Sequence, residues 1–254
     1  MTWRAIGQST IGTAHLHGGK NCEDALVFRR VKGPDGDVLI ACASDGAGSA
    51  QYAEQASQLV TEKTVSALID YAMNGYLLRD VDIIALAEEL YEELTGKANL
   101  ASCPINEFSC TYLGCFIQDH KALFFQIGDG AIVRDDGGGA FTPVWWPQNG
   151  EYSNTTAFLV DDPNFPNLKI ITLDEEIREV AIFTDGLQNL ILNTESVSVH
   201  QPFFANLFQW LRKARTGQEV QILQQKLVEY LSGSIINSRT DDDKTLFLAT
   251  RYLE

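Results

Sequence analysis

Short, uninterrupted apolar runs dominate the chain, and such runs predict β-strands that are covered on both faces. They occupy Ala25–Val31, Val38–Ala43, Thr111–Ile117, Ala122–Ile127, Ala131–Val133, Lys169–Thr172, Val180–Phe183 and Thr245–Thr250. Two longer stretches between the second and third runs place apolar residues three or four positions apart, which is the spacing of one helix face. We therefore predict long helices around Ala53–Tyr71 and Ile83–Leu94, and two later helices at about Phe203–Ala214 and Glu219–Leu231.

The order of these elements indicates an α+β fold. Helices are grouped between runs of strands, so we expect antiparallel sheets covered by helices. The chain has no internal repeat and no linker-like Pro/Ser tract, and we expect one domain over residues 1–254. The irregular stretch Pro143–Leu168 is rich in proline and tryptophan. Such a composition is typical of an ordered loop, and we predict a flap at about 143–168.

The charge of the chain excludes several classes of partner. Among 254 residues, 34 are acidic and 19 are basic, so the net charge is −15. Binding to nucleic acid or to an anionic membrane surface requires basic clusters, and we predict neither. No apolar run approaches the roughly 18 residues of a membrane span. The N-terminal segment lacks the apolar core of a signal peptide, so we expect a cytoplasmic protein.

The cysteines do not form a recognisable site. There are five, an odd number, and no pair has the CxxC spacing. A disulfide framework or structural zinc site is therefore not expected. We interpret these residues as small apolar side chains and not as catalytic thiols.

Aspartates stand at the ends of several predicted strands. Asp-Gly follows a buried-type strand at Asp45, Asp129 and Asp185, and the cluster Asp241–Asp243 precedes the last strand. A carboxylate in such a place is costly to desolvate unless it is paired or coordinated, and the chain has few cations. Mg²⁺ or Mn²⁺ would satisfy these oxygens. For any single Asp-Gly an ordinary solvated turn is the simpler interpretation, but the set favours a metal site.

Six collinear segments resemble the protein phosphatase 2C family, in its bacterial branch. They are GTAHLHGGKNCEDAL, ASDGAGSAQYAEQAS, IGDGAIV, EYSNTTAFL, IFTDGLQNL and DDDKTLFLA. The resemblance extends from Gly12 to about Thr250. It implies a central β-sandwich of two antiparallel sheets flanked by helices, which agrees with the α+β prediction.

The resemblance also implies a centre of two Mn²⁺ or Mg²⁺ ions, with a third, weaker site. By position, Asp45 would bridge the two metals, and the Gly46 carbonyl would assist. The remaining implied roles are Asp185 and Asp242 as ligands of one metal, Glu23 as a ligand of the other through water, Asp24 as the residue that orients metal-bound water, and Asp129 with Asp185 at the third site. Asp242 is chosen by counting back from Thr245, and its neighbours Asp241 and Asp243 are the alternatives for that ligand.

The implied activity is dephosphorylation of phosphoserine or phosphothreonine in a protein substrate. In the family, the cations lower the pKa of a water that attacks phosphorus in line, so no covalent nucleophile is needed. They also neutralise the phosphate, which reconciles an acidic protein with an anionic substrate. The resemblance makes a cognate Ser/Thr kinase a plausible partner.

Two departures from the family pattern keep alternatives open. Gly19 stands where many members have an arginine that grips the substrate phosphate, and Lys20 or His17 is the candidate replacement or a solvated loop residue. Ala47 replaces a histidine of eukaryotic members. A pseudophosphatase that binds phosphoproteins without turnover, and a phosphatase of small phosphate esters, are the alternative functions.

The aromatic residues of the predicted flap are the last candidates. Trp145, Trp146 and Tyr152 are hypothesised to shape substrate access. The competing interpretation is that at least one of the tryptophans packs the flap onto the sandwich.

Overall fold

The computed structural model describes residues 2–135, 138–147 and 156–252. The strands are β1 (Thr2–Thr10), β2 (Ala25–Gly33), β3 (Gly36–Ser44), β4 (Tyr112–Ile117), β5 (Ala122–Ile127), β6 (Ala131–Asp135), β7 (Phe141–Pro143), β8 (Lys169–Leu173), β9 (Glu179–Phe183), β10 (Leu192–Asn193), β11 (Ser198–Val199) and β12 (Lys244–Tyr252). The helices are α1 (Thr13–Gly18), α2 (Ala53–Asn74), α3 (Asp80–Ala101), α4 (Gln188–Ile191), α5 (Gln201–Lys213), α6 (Gly217–Leu231) and α7 (Ser234–Asn237).

Two antiparallel five-stranded sheets form the centre of the fold. One has the strand order β1-β12-β9-β6-β7 and the other β2-β3-β4-β5-β8. Helices α5 and α6 cover the first sheet, and α2 and α3 cover the second. The predicted α+β sandwich of two antiparallel sheets flanked by helices is thus confirmed. All eight predicted strands are present, although several extend further than predicted.

Apolar side chains fill three layers of core. Between the sheets lie residues such as Trp3, Phe124 and Phe247, all at most 2% exposed. The outer layers pack one sheet against α2 and α3 and the other against α5 and α6. Because both faces of the strands are covered, their sequences are continuously apolar and do not alternate.

The first strand was missed by the apolar pattern. Polar residues interrupt β1, and two of them, Arg4 and Ser9, contact residues near the other end of the chain. The Arg4 guanidinium lies 3.5 Å from the centre of the Tyr252 ring, and the Ser9 hydroxyl is 2.7 Å from that of Thr245. The six-residue helix α1 was also missed, because it is too short to show a period.

Helix termini follow local signals. At the start of α6, the Thr216 hydroxyl accepts a 3.2 Å hydrogen bond from the Glu219 amide, and the Glu219 carboxylate accepts one from the Thr216 amide. Helix α2 ends at Asn74 and is capped by Gly75, whose φ of 66° is in the left-handed region. Within the described residues, no helix is both long enough and apolar enough to cross a bilayer.

Candidate metal centre

Three of the strand-end aspartates meet at one end of the sandwich. Asp45 follows β3, Asp129 lies in the turn between β5 and β6, and Asp185 follows β9. One carboxylate oxygen of each lies within 4.8 Å of the other two. These residues come from both sheets, so the sandwich itself brings them together.

The backbone around Asp45 is held in place by neighbouring loops. The Asp45 amide donates to the Thr111 hydroxyl and the Thr111 amide donates to the Asp45 carbonyl, both at 2.8 Å. A Cβ atom on Gly46 would lie 2.8 Å from the backbone oxygens of Ala53 and Glu23, so only glycine fits there. Gly46 pairs with Cys110 in an isolated antiparallel β-bridge. The hydrogen bonds of this bridge use the Asp45 carbonyl and the Ala47 amide, and not the Gly46 carbonyl.

Asp24 is buried beside this cluster, just before β2. It is 6% exposed, and its Oδ2 atom accepts hydrogen bonds from the hydroxyls of Thr184 (2.8 Å) and Thr245 (2.7 Å). Burial raises the pKa of Asp24 to about 7, although the two hydroxyls oppose the shift. Both threonines lie in the motifs IFTDGLQNL and DDDKTLFLA, but no role was predicted for them from the sequence. The signal in the sequence is their position, since Thr184 precedes Asp185 and Thr245 lies just after the cluster Asp241–Asp243.

The acidic cluster is electrostatically strained without a cation. Burial raises the pKa of Asp45 well above its usual range, and the charges of Asp24 and Asp185 raise it further. Burial, followed by the charges of Asp129 and Asp242, raises the pKa of Asp185 to about 7. Burial also raises the pKa of Asp129. Ionising all of these carboxylates together costs free energy, because they are buried and repel one another. A bound divalent cation would offset that cost.

Unpartnered oxygens support the same interpretation. Among the described residues, Glu23 Oε2, Asp24 Oδ1 and Asp129 Oδ1 are buried atoms without a hydrogen bond. Buried carboxylate oxygens normally have partners. Carboxylates and a free backbone carbonyl are the ligands preferred by Mg²⁺ and Mn²⁺, so these residues fit such ions.

The three consecutive aspartates before β12 have different positions. The charge of Asp242 contributes to the raised pKa values of the cluster, and its Cβ would lie 3.5 Å from a Cβ placed on Gly186. Asp243 is instead 2% exposed and accepts backbone hydrogen bonds from Gly12 (2.6 Å) and Glu23 (2.5 Å). Asp241 is exposed. Asp242 is therefore the member of the triplet that faces the cluster.

A buried lysine lies behind these aspartates. The Lys244 ammonium donates to the Asp242 carbonyl and to Asn237 Oδ1, both at 3.1 Å, and to the Ile11 carbonyl at 3.3 Å. Its side chain ties the backbone of Asp242 to the loop that precedes α1. No local signal in the sequence marks this residue, since a lysine between polar residues is usually solvated.

The two candidate phosphate-binding residues are placed differently. The Lys20 ammonium donates to Glu23 Oε1 at 3.0 Å and to the Gly48 carbonyl at 2.8 Å, at the rim of a depression of about 530 Å³. His17 is exposed on α1. His15, for which no role was predicted, reaches the buried carboxylates instead: its Nδ1 is 2.9 Å from Asp243 Oδ2 and its Nε2 is 3.5 Å from Glu23 Oε2.

The predicted flap is only partly described. Trp145 packs against the core between the sheets, and Trp146 packs against the core under α5 and α6. Tyr152 and most of the EYSNTTAFL segment lie outside the described residues. Further along, the Thr156 hydroxyl donates to Asp129 Oδ2, so this part of the chain borders the acidic cluster.

Comparisons with known proteins agree with this geometry. The profile of the family described as protein phosphatase 2C matches residues 11–232. Serine/threonine-protein phosphatase 3 of Escherichia coli (strain K12) is 34% identical over 251 residues, which are 98% of each chain.

Solved structures of similar fold extend over the whole chain. The catalytic domain of the serine/threonine protein phosphatase PstP, in complex with two manganese ions, has a TM-score of 0.63 at 17% identity and covers 98% of each chain. A serine/threonine phosphatase from Staphylococcus aureus has a TM-score of 0.63 at 14% identity, over 100% of this chain and 96% of that one. At such identities these two structures show a shared fold.

Proposed function

The chain belongs to the protein phosphatase 2C family, and on that premise we propose that it is a metal-dependent protein serine/threonine phosphatase centred on Asp45. The observation that carries the proposal is the convergence of the Asp45, Asp129 and Asp185 carboxylates within 4.8 Å. Buried, unpartnered oxygens of Glu23 and Asp24 belong to residues beside the same site, since the Glu23 carbonyl accepts the Gly46 amide and the charge of Asp24 raises the pKa of Asp45. Such an array is costly in a folded protein unless it holds cations.

We propose that Asp45 bridges two Mn²⁺ or Mg²⁺ ions. Its carboxylate interacts with both Asp24 and Asp185, which places it centrally among the acidic groups. The proposed further ligands are the Gly46 carbonyl, Asp185 and Asp242 for one ion, Glu23 through water for the other, and Asp129 with Asp185 for a third, weaker site.

Two divalent cations, when bound, supply a water of lowered pKa for in-line attack on phosphorus and neutralise the phosphate. The residues of the chain determine where this chemistry occurs. Thr184 and Thr245 hold one oxygen of Asp24, and its second oxygen remains available to accept a hydrogen bond from water. Burial, and then the charge of Asp24, raise the pKa of the nearby Cys22 thiol, so it does not suit the role of a nucleophile.

The proposed substrates are phosphoserine and phosphothreonine residues of proteins, with a cognate Ser/Thr kinase as the opposing partner in a signalling system. The similarity to the Escherichia coli serine/threonine-protein phosphatase supports the substrate class. We also propose a cytoplasmic location, since all five cysteines are free thiols. One catalytic domain would use the whole chain, because Glu23 and Asp242 come from opposite ends of it.

The decisive experiment compares Asp45→Asn with Asp35→Asn. Both variants convert an Asp-Gly to Asn-Gly, but Asp35 lies in the exposed turn between β2 and β3. We would measure Mn²⁺-dependent hydrolysis of a phosphothreonine peptide, and Mn²⁺ binding by calorimetry. Asp45→Asn should abolish turnover and weaken binding, whereas Asp35→Asn should match the wild type.

Other outcomes would favour the alternatives. Metal binding without turnover would indicate a phosphoprotein-binding pseudophosphatase. The observation behind that alternative is that Gly19 offers no cation and Lys20 is already engaged with Glu23 and Gly48. A preference for aryl phosphate over phosphopeptide by orders of magnitude in kcat/KM would indicate a small-ester phosphatase. Without either metal binding or turnover, the proposal fails.

A further inference from the structure

His15 lies between two buried carboxylates, and nothing in its sequence context marks it out from His17. Its side chain is 16% exposed, whereas His17, two residues further along α1, points to solvent. The ring contacts a different carboxylate with each nitrogen: Nδ1 is 2.9 Å from Asp243 Oδ2, and Nε2 is 3.5 Å from Glu23 Oε2. His15 therefore connects residues that lie more than 200 positions apart.

Asp243 holds both ends of the segment that carries His15 through backbone hydrogen bonds. Its Oδ1 accepts the Gly12 amide at 2.6 Å, and its Oδ2 accepts the Glu23 amide at 2.5 Å. These two contacts hold both ends of the segment 12–23. A hydrogen bond in which Asp243 Oδ2 is the acceptor requires the tautomer of His15 that carries the hydrogen on Nδ1.

The side chain of Glu23 is held from two sides. Lys20 donates to Oε1 at 3.0 Å, but the Lys20 side chain is 41% exposed. Oε2 is buried, has no hydrogen bond and lies 3.5 Å from His15 Nε2. The more rigid neighbour of Glu23 is therefore the imidazole, because its position is determined by Asp243.

We propose that His15 is a positioning residue for the metal centre. Its ring is held by Asp243 through Nδ1 and orients the Glu23 carboxylate through Nε2. This inference rests on the proposed function, since it takes Glu23 as a ligand of the second metal through water. The residues that orient a metal ligand commonly change metal affinity by about 10–100-fold when they are removed.

Two conservative variants separate the two contacts of the ring. In His15→Asn the side-chain amide nitrogen stands near the position of Nδ1 and keeps the bond to Asp243. In His15→Gln the amide nitrogen stands near the position of Nε2 and keeps the contact with Glu23. His17→Ala, on the same helix but exposed, is the matched control.

We would measure Mn²⁺ affinity and stoichiometry by calorimetry and the melting temperature of the metal-free protein. His15→Asn should lose about tenfold or more in affinity at one site with little change in melting temperature. His15→Gln should lose less affinity but melt about 5 °C lower, since the buried Asp243 loses a donor. His17→Ala should match the wild type in both measurements.

A double-mutant cycle with Glu23→Gln tests whether His15 acts through Glu23. In that background His15→Asn should cause no further loss of Mn²⁺ affinity, which a general effect on folding would not produce. Unchanged Mn²⁺ affinity in His15→Asn, or fully additive losses in the cycle, would overturn the inference while the phosphatase assignment stands. If the wild-type protein binds no Mn²⁺, the proposed function and this inference fail together.

Discussion

Asp24→Asn should stabilise the metal-free protein, and the gain should grow as the pH rises towards neutral and above. The folded chain raises the pKa of Asp24 to about 7 from its ordinary value of 3.8, chiefly by burial. The folded state therefore binds the proton more tightly than the unfolded state does. The associated stability is fully present below pH 3.8 and is lost as the pH rises towards 7.

The magnitude follows from the two pKa values. The interval from 3.8 to about 7 corresponds to a penalty on the order of 4 kcal/mol at pH 8 and to less than half of that at pH 5. Asparagine carries no charge, and its carbonyl can still accept the hydroxyls of Thr184 and Thr245. The variant should thus gain about 4 kcal/mol at pH 8, which is a rise of about 10 °C in melting temperature for a chain of this length.

The assay is thermal unfolding in a chelating buffer at pH 5 and pH 8, followed by circular dichroism. Asp70→Asn is the control, since it removes the same charge from an exposed position on α2 and should change little at either pH. Phosphatase activity of Asp24→Asn should fall although its metal-free form is more stable. Equal stabilisation at both pH values, or none at pH 8, would refute the electrostatic reasoning.

Three further predictions test the packing around this centre. Gly186→Ala should unfold the site or abolish Mn²⁺ binding in calorimetry, because the added Cβ would clash with the Asp243 carbonyl. Gly96→Ala on α3 is the control, since a Cβ there meets nothing within 4 Å, and it should stabilise the protein by up to about 1 kcal/mol in denaturant titration. A thiol reagent should modify Cys103 first in the native protein, as seen by peptide mass mapping, because three of the other thiols are buried and burial raises the pKa of the fourth. Phe208→Ala should cost about 3–5 kcal/mol in urea unfolding without changing the Mn²⁺ affinity of the folded fraction, since this fully buried ring lies on α5 and stacks on Phe141, away from the acidic cluster.

The sequence alone determined the central layers of the fold. Continuous apolar runs such as Ala122–Ile127 predict strands covered on both sides, and that strand is found with the predicted bounds. Helical periodicity located α2, α3, α5 and α6 for the same reason, since the period of burial is recorded locally along the chain. Asp-Gly after a strand likewise identified Asp45, Asp129 and Asp185, because strand ends are visible in the sequence.

The tertiary structure alone decided which side chains contact the acidic cluster, because those contacts depend on which distant segments become neighbours. Strand β12 lies between β1 and β9, and this pairing sets Thr245 opposite Ser9 and brings Asp243 against the loop before β2. No local pattern distinguishes Asp243, which braces that loop, from Asp242, which faces the acidic cluster. The same holds for His15 and His17, two residues apart on one short helix. Their surroundings exist only once the sheets have paired, because hydrogen-bond partners more than 200 residues away leave no periodic trace in the chain.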